Sequence, residues 1–214
     1  MLEQGQGKPT VFVVDDDADV RDGLKMLLES MGLGCKVFGS TKDFLQEQRP
    51  DGASCLILDV RLPGSSGLDF QIELAQGHID IPIIFMTGHG DIPMSVKAMK
   101  AGAVEFLTKP LREQDLLDAV NVALERDRAK RAQDDQLHEL RARFESLSDR
   151  EREVLSLVTA GLLNKQVAAE IDLSEVTVKV HRHNLMKKLG AKSVPDLVRM
   201  ADLLNASRRD DSRF

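Results

Sequence analysis

The segment that most constrains the fold is an apolar run that ends in a single carboxylate and is followed by a Pro-Gly turn. Residues 56–58 are Leu-Ile-Leu, Asp59 follows them, and Pro63 and Gly64 form the turn. A short, uninterrupted apolar run is typical of a strand buried on both faces of a parallel sheet. Asp59 should therefore lie at the carboxyl end of that strand, where open α/β sheets bind their ligands.

Four further apolar segments alternate with helical patterns around this run. The other predicted strands are residues 10–14, 35–38, 81–86 and 104–107, and the predicted helices are 20–31, 41–45, 67–75, 92–101 and one that starts near 111. Five strands alternating with five helices predict an α/β fold with a doubly wound parallel sheet. The flavodoxin-like strand order 2-1-3-4-5 fits this count, and its crevice lies between strands one and three.

Polar side chains follow the ends of four of these strands. They are Asp15 and Asp16 after the first strand, Asp59 at the third, Thr87 at the fourth and Lys109 at the fifth. Neighbouring carboxylates repel one another unless a cation lies between them, and ligation by oxygen alone favours Mg2+. A cation, a lysine and a hydroxyl around one carboxylate form a receptor for a phosphoryl group, which the carboxylate can accept covalently. Asp17 is expected to cap the first helix.

The charge of the chain is distributed unevenly. Residues 1–122 carry 11 Lys and Arg against 19 Asp and Glu, a net charge of −8, whereas residues 146–214 carry 12 against 10, a net charge of +2. This asymmetry predicts two domains with different partners. The sequence contains no apolar run long enough for a membrane span, so we expect a cytoplasmic protein with no membrane partner.

The segment between the two domains is predicted to continue the fifth helix as a solvated linker. It is rich in charges of both signs and lacks Pro and Gly. Leu137, Leu140 and Phe144 form a sparse apolar stripe that could equally contact a partner helix. The predicted boundaries are 8–122 for the first domain, 123–145 for the helical linker, 146–206 for the second domain and 207–214 for a flexible tail.

The second domain is predicted to be a small all-α domain. Ser148 and Glu151 form a capping-box pattern at its first helix. Helices over 165–170 and 175–189 follow, joined by a short turn, and the second is basic, which is the helix-turn-helix signature. We expect the buried side of the basic helix to comprise Leu173, Val176, Val178, Val180, Leu185 and Leu189.

Four motifs together resemble a CheY-like response-regulator receiver domain. They are Val-Asp-Asp-Asp at 14–17, Leu-Asp-Val-Arg-Leu-Pro-Gly at 58–64, Met-Thr-Gly-His-Gly at 86–90 and Phe-Leu-Thr-Lys-Pro at 106–110, and the resemblance covers about residues 8–125. It implies that Asp59 is the phosphoacceptor. It also implies that Asp15, Asp16 and Asp59 bind Mg2+ together with the backbone carbonyl of Arg61.

The same resemblance assigns the remaining residues of this site. Thr87 and Lys109 are expected to contact the phosphoryl group, and Phe106 is expected to be an aromatic switch that turns into the space that Thr87 vacates. The Lys109-Pro110 bond is often cis in this family.

The rear of the chain resembles a LuxR-type DNA-binding domain. The matching stretches are 147–155, 164–168, 177–182 and 188–190, and the resemblance covers about residues 144–206. With the receiver, the chain resembles a FixJ/NarL-family response regulator. It departs from the family at Leu163, where Ser or Thr usually precedes Asn-Lys, so we expect a weaker helix start or a cap shifted to Asn164.

The LuxR-type alignment also identifies candidate DNA contacts. Lys179 and Arg182 are expected to reach phosphates and base edges, with His183 on the same helix face as Lys179. The other candidates are Glu175 or Val176 near a base, Lys187 and Lys188 at phosphates, Lys165 at the backbone, and Thr177 as a further DNA-binding residue. Phosphate contacts would make binding salt-dependent, and base contacts would select the sequence.

These features together predict a transcriptional regulator controlled by phosphorylation, and not a metabolic enzyme. The implied partners are a sensor histidine kinase, double-stranded promoter DNA, a second copy of the chain upon phosphorylation, and RNA polymerase. One alternative is a constitutive DNA-binding regulator. Another is an aspartyl-phosphate phosphatase, but the haloacid-dehalogenase type places a second Asp where this chain has Arg61.

Overall fold

The computed structural model describes residues 7–88 and 92–211, and only the backbone of Ser65 and of residues 206–211. His89 and Gly90 of the motif at 86–90 lie outside the described residues. The chain forms two compact units that divide between Arg131 and Ala132. Within the described ranges, no helix is both long and apolar enough to cross a membrane.

The first unit is a five-stranded parallel sheet with helices on both faces. Its strands in chain order are β1 (Thr10–Val14), β2 (Gly34–Phe38), β3 (Ser54–Asp59), the short antiparallel pair β4 (Arg61–Leu62) and β5 (Ser65–Ser66), β6 (Ile83–Thr87) and β7 (Glu105–Thr108). Its helices are α1 (Ala18–Ser30), α2 (Thr41–Leu45), α3 (Gly67–Gln76), α4 (Ile92–Lys100) and the first part of α5 (Glu113–Glu145). The sheet order β2-β1-β3-β6-β7 confirms the predicted fold and strand order.

The two faces of the sheet follow from the alternation of side chains along each strand. Val11 and Val13 of β1 pack with apolar residues of α1 and α5, whereas Phe12 and Val14 pack with those of α2, α3 and α4. Asp17 caps α1, as predicted, by accepting the N–H groups of Asp19 and Val20. Both faces are therefore covered, and the polar side chains gather at the strand ends.

The second unit is helical. It contains the end of α5, α6 (Asp149–Thr159), α7 (Asn164–Glu170), α8 (Glu175–Leu189) and α9 (Val194–Asp211). The predicted capping box at Ser148 and Glu151 is present. Gly190 ends α8 in the left-handed conformation, at φ 74°, which glycine adopts at little cost.

Two segments differ from the sequence-based expectation. In the predicted linker, Leu124 and Asp127 are buried in the first unit and Leu140 is buried in the core of the second, so part of this helix is packed and not solvated. Helix α9 runs to Asp211, into the range 207–214 that was predicted as a flexible tail. Residues 212–214 lie outside the described part of the chain.

Candidate functional site

Three carboxylates converge at the carboxyl edge of the sheet. Asp15 directly follows β1, and Asp59 ends β3, the neighbouring parallel strand, in which Leu58 pairs with Val14. One oxygen from each of Asp15, Asp16 and Asp59 lies within 4.8 Å of the others. Asp15 is fully buried and Asp59 is 6% exposed, while Asp16 is exposed. The strand register therefore brings two charges of the same sign together out of water.

Lys109 compensates this negative charge. Its Nζ donates to Asp15 Oδ2 at 2.6 Å and to Asp59 Oδ2 at 2.7 Å. Burial raises the pKa of Asp15 above its ordinary value, although the bonds from Lys109 and from the Asp17 N–H oppose this shift. Burial tends to lower the pKa of Lys109, but its bonds to the two carboxylates outweigh burial, and the net shift is upward. Lys109 is therefore held as a cation between the two carboxylates.

The acidic cluster fits a magnesium ion by the chemistry of its donors. Carboxylate oxygens are the hard ligands that Mg2+ prefers, and the ion commonly uses one or two carboxylates while it keeps several waters. The Arg61 N–H donates to Asp59 Oδ1 at 2.9 Å, so the turn after β3 is tied to this carboxylate. That the Arg61 carbonyl is a ligand stays a prediction.

Thr87 and Phe106 lie on the two strands beyond β3. Thr87 is fully buried at the end of β6, and its carbonyl accepts the Lys109 N–H at 2.8 Å. Phe106 is half-buried on β7, and its ring centroid lies 6.3 Å from that of its register partner Phe85. The Lys109-Pro110 bond is cis, as the family resemblance implies. Thr87 and Phe106 thus lie at the predicted edge of the sheet, and their roles stay predictions.

Two further residues position this site and were not predicted from the sequence. A Cβ atom at Gly67 would lie 2.3 Å from the Asp59 carbonyl oxygen, so the start of α3 can approach the acceptor strand only with glycine there. Arg21 donates from NH1 to the Asp15 carbonyl at 2.7 Å. The Ser-Ser-Gly pattern before α3 could have suggested a tight helix start, but no sequence signal indicates which carbonyl Arg21 reaches.

The exposed face of α8 carries a mixed apolar and basic stripe. Val176, Val180, His183 and Lys187 follow one another at spacings of four, three and four residues, and Lys179 lies beside them. Val176 and Val180 are 70% and 54% exposed. The prediction that these two valines lie on the buried side is therefore wrong. Their position beside Lys179 is that of a surface that can enter a DNA groove.

Arg182 follows Lys179 by three residues on α8, so it lies beside Lys179 at the border between the exposed stripe and the buried side. It shares the spacing of the buried residues Val178, Leu185 and Leu189, and its NH1 donates to Asn164 Oδ1 at 2.8 Å. Its place beside Lys179 is as predicted, and a DNA contact by Arg182 stays a prediction. In this structure its side chain is half-buried and joins α8 to α7.

Lys188 also has a partner within the second unit. Its Nζ donates to Glu151 Oε2 at 2.7 Å and to the Ser146 carbonyl at 3.2 Å. Burial would raise the pKa of Glu151, but the bonds from Lys188 and from the Ser148 N–H outweigh it and lower the pKa. The ion pair thus holds the end of α8 on the start of α6.

The other predicted DNA contacts lie in the first turns of α7 and α8. Lys165 and Glu175 are exposed, whereas the N–H of Thr177 donates to the N-cap Ser174. Leu163 precedes α7 without a side-chain cap, and the Gln166 side chain accepts the Leu163 N–H at 2.9 Å. The cap does not move to Asn164, because the side-chain oxygen of that residue accepts from Arg182.

Comparisons with known proteins match both units. Residues 11–121 match the response regulator receiver domain family, and residues 145–201 match the bacterial regulatory proteins of the luxR family. Nodulation protein W of Bradyrhizobium diazoefficiens is 56% identical over 200 residues, which are 94% of this chain and 88% of that protein. Transcriptional regulatory protein FixJ of Rhizobium meliloti is 45% identical and covers 90% of this chain and 94% of its own.

Solved structures show the same architecture. The response regulator StyR aligns with a TM-score of 0.81 at 49% identity and covers 92% of this chain and 99% of its own. Full-length FixJ from B. japonicum aligns with a TM-score of 0.55 at 37% identity and covers 94% of this chain and 99% of its own.

Proposed function

The chain belongs to the FixJ-type two-component response regulators, which join a receiver to a LuxR-type DNA-binding domain, and we propose that Asp59 is the residue through which it is switched. The observation that carries this proposal is the pair of bonds from Lys109 Nζ to Asp15 and Asp59. A lysine placed there can remain beside the acceptor oxygen before and after phosphorylation.

In the proposed reaction, an Asp59 carboxylate oxygen attacks the phosphorus of a phosphohistidine on a sensor kinase. The new O–P bond forms as the N–P bond breaks, and the imidazole nitrogen keeps the electron pair and takes up a proton from water. Asp15, Asp16, Asp59 and the Arg61 carbonyl would hold Mg2+, which would supply positive charge that neutralises the carboxylates and the phosphoryl oxygens.

Phosphorylation then changes the charge at the end of β3. The phosphoryl group carries more negative charge and more acceptor oxygens than the carboxylate it modifies. Lys109 keeps its contact, the Thr87 hydroxyl turns to donate to a phosphoryl oxygen, and Phe106 rotates into the vacated space. These movements transmit the modification to the surface of the receiver.

The proposed output is stronger DNA binding by a phosphorylated dimer in the cytoplasm, with RNA polymerase as a further partner. On α4, Ile92, Val96 and Met99 are exposed at helical spacing and supply an apolar face that supports self-association. On α8, the stripe around Lys179 supports contacts with DNA. A DNA site made of two half-sites suits a dimer, because the dimer presents two copies of such a helix.

The experiment that tests the proposal is intact mass spectrometry after incubation with Mg2+ and acetyl phosphate. We expect one added phosphoryl group on the wild type and none on Asp59→Asn. Asp134→Asn makes the same chemical change at an exposed position of α5 and should be labelled like the wild type. Gel filtration of the labelled wild type should show a dimer.

The same samples distinguish the alternatives. Their binding is measured on a DNA duplex that the phosphorylated wild type selects from a random pool. Equal affinity with and without the phosphoryl group would support a constitutive regulator. Turnover of p-nitrophenyl phosphate that depends on Asp59 would support a phosphatase. Labelling of Asp59→Asn would overturn the assignment of the acceptor.

A further inference from the structure

Asp127 is a buried carboxylate on α5 that the phosphorylation site does not use. It is 3% exposed, and its Oδ2 accepts the Ser54 N–H at 2.8 Å. Ser54 begins β3 and Asp59 ends it. Asp127 is therefore attached to the far end of the strand that carries the phosphoacceptor, roughly 17 Å away along that strand.

Two arginines pair with Asp127 and extend its contacts. Arg49 NH2 donates to Oδ1 at 3.1 Å, and Arg131 Nε donates to Oδ2 at 2.7 Å. Arg49 NH1 also donates to the Asp80 carbonyl at 2.7 Å, and Arg131 NH1 donates to the Asp51 carbonyl at 3.1 Å. One carboxylate therefore ties α5 to the segment before β3, to β3 itself and to the segment before β6.

These contacts continue the face of α5 that packs on the sheet. Leu116, Val120 and Leu124 are buried on this face, and Asp127 and Arg131 follow at spacings of three and four residues. Apolar contacts tolerate small shifts of a helix along its axis, whereas hydrogen bonds to one buried carboxylate require one register. The buried face of α5 thus ends at Asp127, whose hydrogen bonds specify where the helix lies on the first unit.

The contacts of Asp127 are also the last buried contacts that α5 makes with the rest of the first unit. Residues 132–136 are exposed, and the next buried residue of α5 is Leu140, which belongs to the core of the second unit. A change in the first unit can reach the rest of α5 through the helix turns that the first unit holds.

We infer that Asp127 is a positioning residue that fixes the register of α5 on the first unit and thereby makes DNA binding respond to phosphorylation at Asp59. This inference rests on the proposed function. Without the Asp127 contacts, the turns of α5 near Arg131 no longer follow changes in β3. Asp59 is then still phosphorylated, but phosphorylation no longer changes the affinity for DNA.

The test compares the full chain with Asp127→Asn, which removes the charge and keeps the shape. Both are phosphorylated with acetyl phosphate and Mg2+, and the extent of labelling is measured by intact mass. The Kd for the selected duplex is then measured with and without the phosphoryl group. We expect a ratio of about tenfold for the wild type and for the control Asp134→Asn, within the usual range of coupling. For Asp127→Asn we expect full labelling with a ratio below about twofold.

The outcomes distinguish a failure of the proposed function from a failure of the inference about Asp127. If the phosphoryl group does not change the Kd of the wild type, the proposed function fails, and the inference fails with it. If the wild type shows the ratio and labelled Asp127→Asn keeps it, only the inference is overturned. Should Asp127→Asn not fold, Arg131→Gln removes one donor from a partly exposed side chain and should lower the ratio, while Arg131→Lys should restore part of it. An unchanged ratio in Arg131→Gln would also overturn the inference.

Discussion

Arg182 NH1 lies 2.8 Å from Asn164 Oδ1, and this hydrogen bond joins the basic helix α8 to the first turn of α7. Arg182 therefore acts within the helix-turn-helix, while Lys179 faces outward. The bond between Arg182 and Asn164 helps to hold α7 against α8, and the relative position of these two helices decides which side chains can reach DNA.

The two basic residues should respond differently to substitution. Arg182→Ala should lower the free energy of unfolding of the second unit by about 1–2 kcal/mol, because it removes a charged hydrogen bond from a half-buried site. Lys179→Ala should weaken DNA binding and reduce the slope of log Kd against log salt concentration by about one. Urea unfolding and anisotropy at several salt concentrations measure these effects. A reduced salt slope in Arg182→Ala would show that this residue contacts phosphate in the complex.

The start of α7 can be stabilised. Leu163 is 71% exposed and occupies the N-cap with extended backbone angles, and Gln166 already accepts its N–H. Leu163→Ser should complete the capping box and raise the free energy of unfolding of the second unit by about 1 kcal/mol. Thermal and urea unfolding check this value, with Leu163→Ala as the control for loss of the exposed side chain. Equal stability of the two variants would contradict a capping effect.

Glu151 should make the second unit sensitive to acid. Burial alone would raise its pKa, but the bonds from Lys188 and from the Ser148 N–H outweigh burial and hold the pKa below the usual 4.5 in the folded state. A lowered pKa stabilises the folded state above pH 4.5, and this stabilisation is lost as the pH falls through the folded-state pKa. Glu151→Gln should cost about 1–2 kcal/mol at pH 7, because it removes the charged acceptor of Lys188, while Gln can still accept the Ser148 N–H.

The pH dependence of that cost is the critical measurement. The difference in free energy of unfolding between the wild type and Glu151→Gln, followed by hydrogen exchange of α6 at increasing denaturant, should shrink below pH 4.5. Glu153→Gln, at an exposed position of the same helix, should show a smaller difference. A difference that grows on acidification would contradict a lowered pKa of Glu151 in the folded state.

We expect the Asp15 carboxylate to lower the stability of the first unit in the absence of magnesium and to be required for magnesium binding. Burial raises its pKa, so its charge opposes folding at neutral pH in the absence of the ion. Asp15→Asn should therefore raise the Tm of the first unit in EDTA. It should also remove the stabilisation by MgCl2, which for the wild type reaches about 2.7 kcal/mol at about 100 times Kd. Thermal unfolding across a magnesium titration measures both effects, and Asp134→Asn serves as the control. A magnesium-dependent Tm in Asp15→Asn would exclude this carboxylate as an essential ligand.

Local patterns were sufficient for most of the fold. The apolar run before Asp59, the cap at Asp17 and the capping box at Ser148 are each encoded within a few residues, and each has the predicted form. The gathering of Asp15, Asp59 and Lys109 also followed from the sequence, because parallel strands place their carboxyl ends at one edge.

The sequence alone determined which segments become strands and helices, where the helices begin, and which strand ends carry the charged groups, because backbone hydrogen bonding and side-chain periodicity act over short distances. Only the tertiary structure decided which charged side chains are engaged inside the protein. Lys188 meets a carboxylate 37 residues away in the chain, and Arg49 meets Asp127 78 residues away. Long cationic side chains bury their stems while their charged ends find partners in space, so neighbouring positions on one helix give an exposed Lys179 and an internally bonded Arg182.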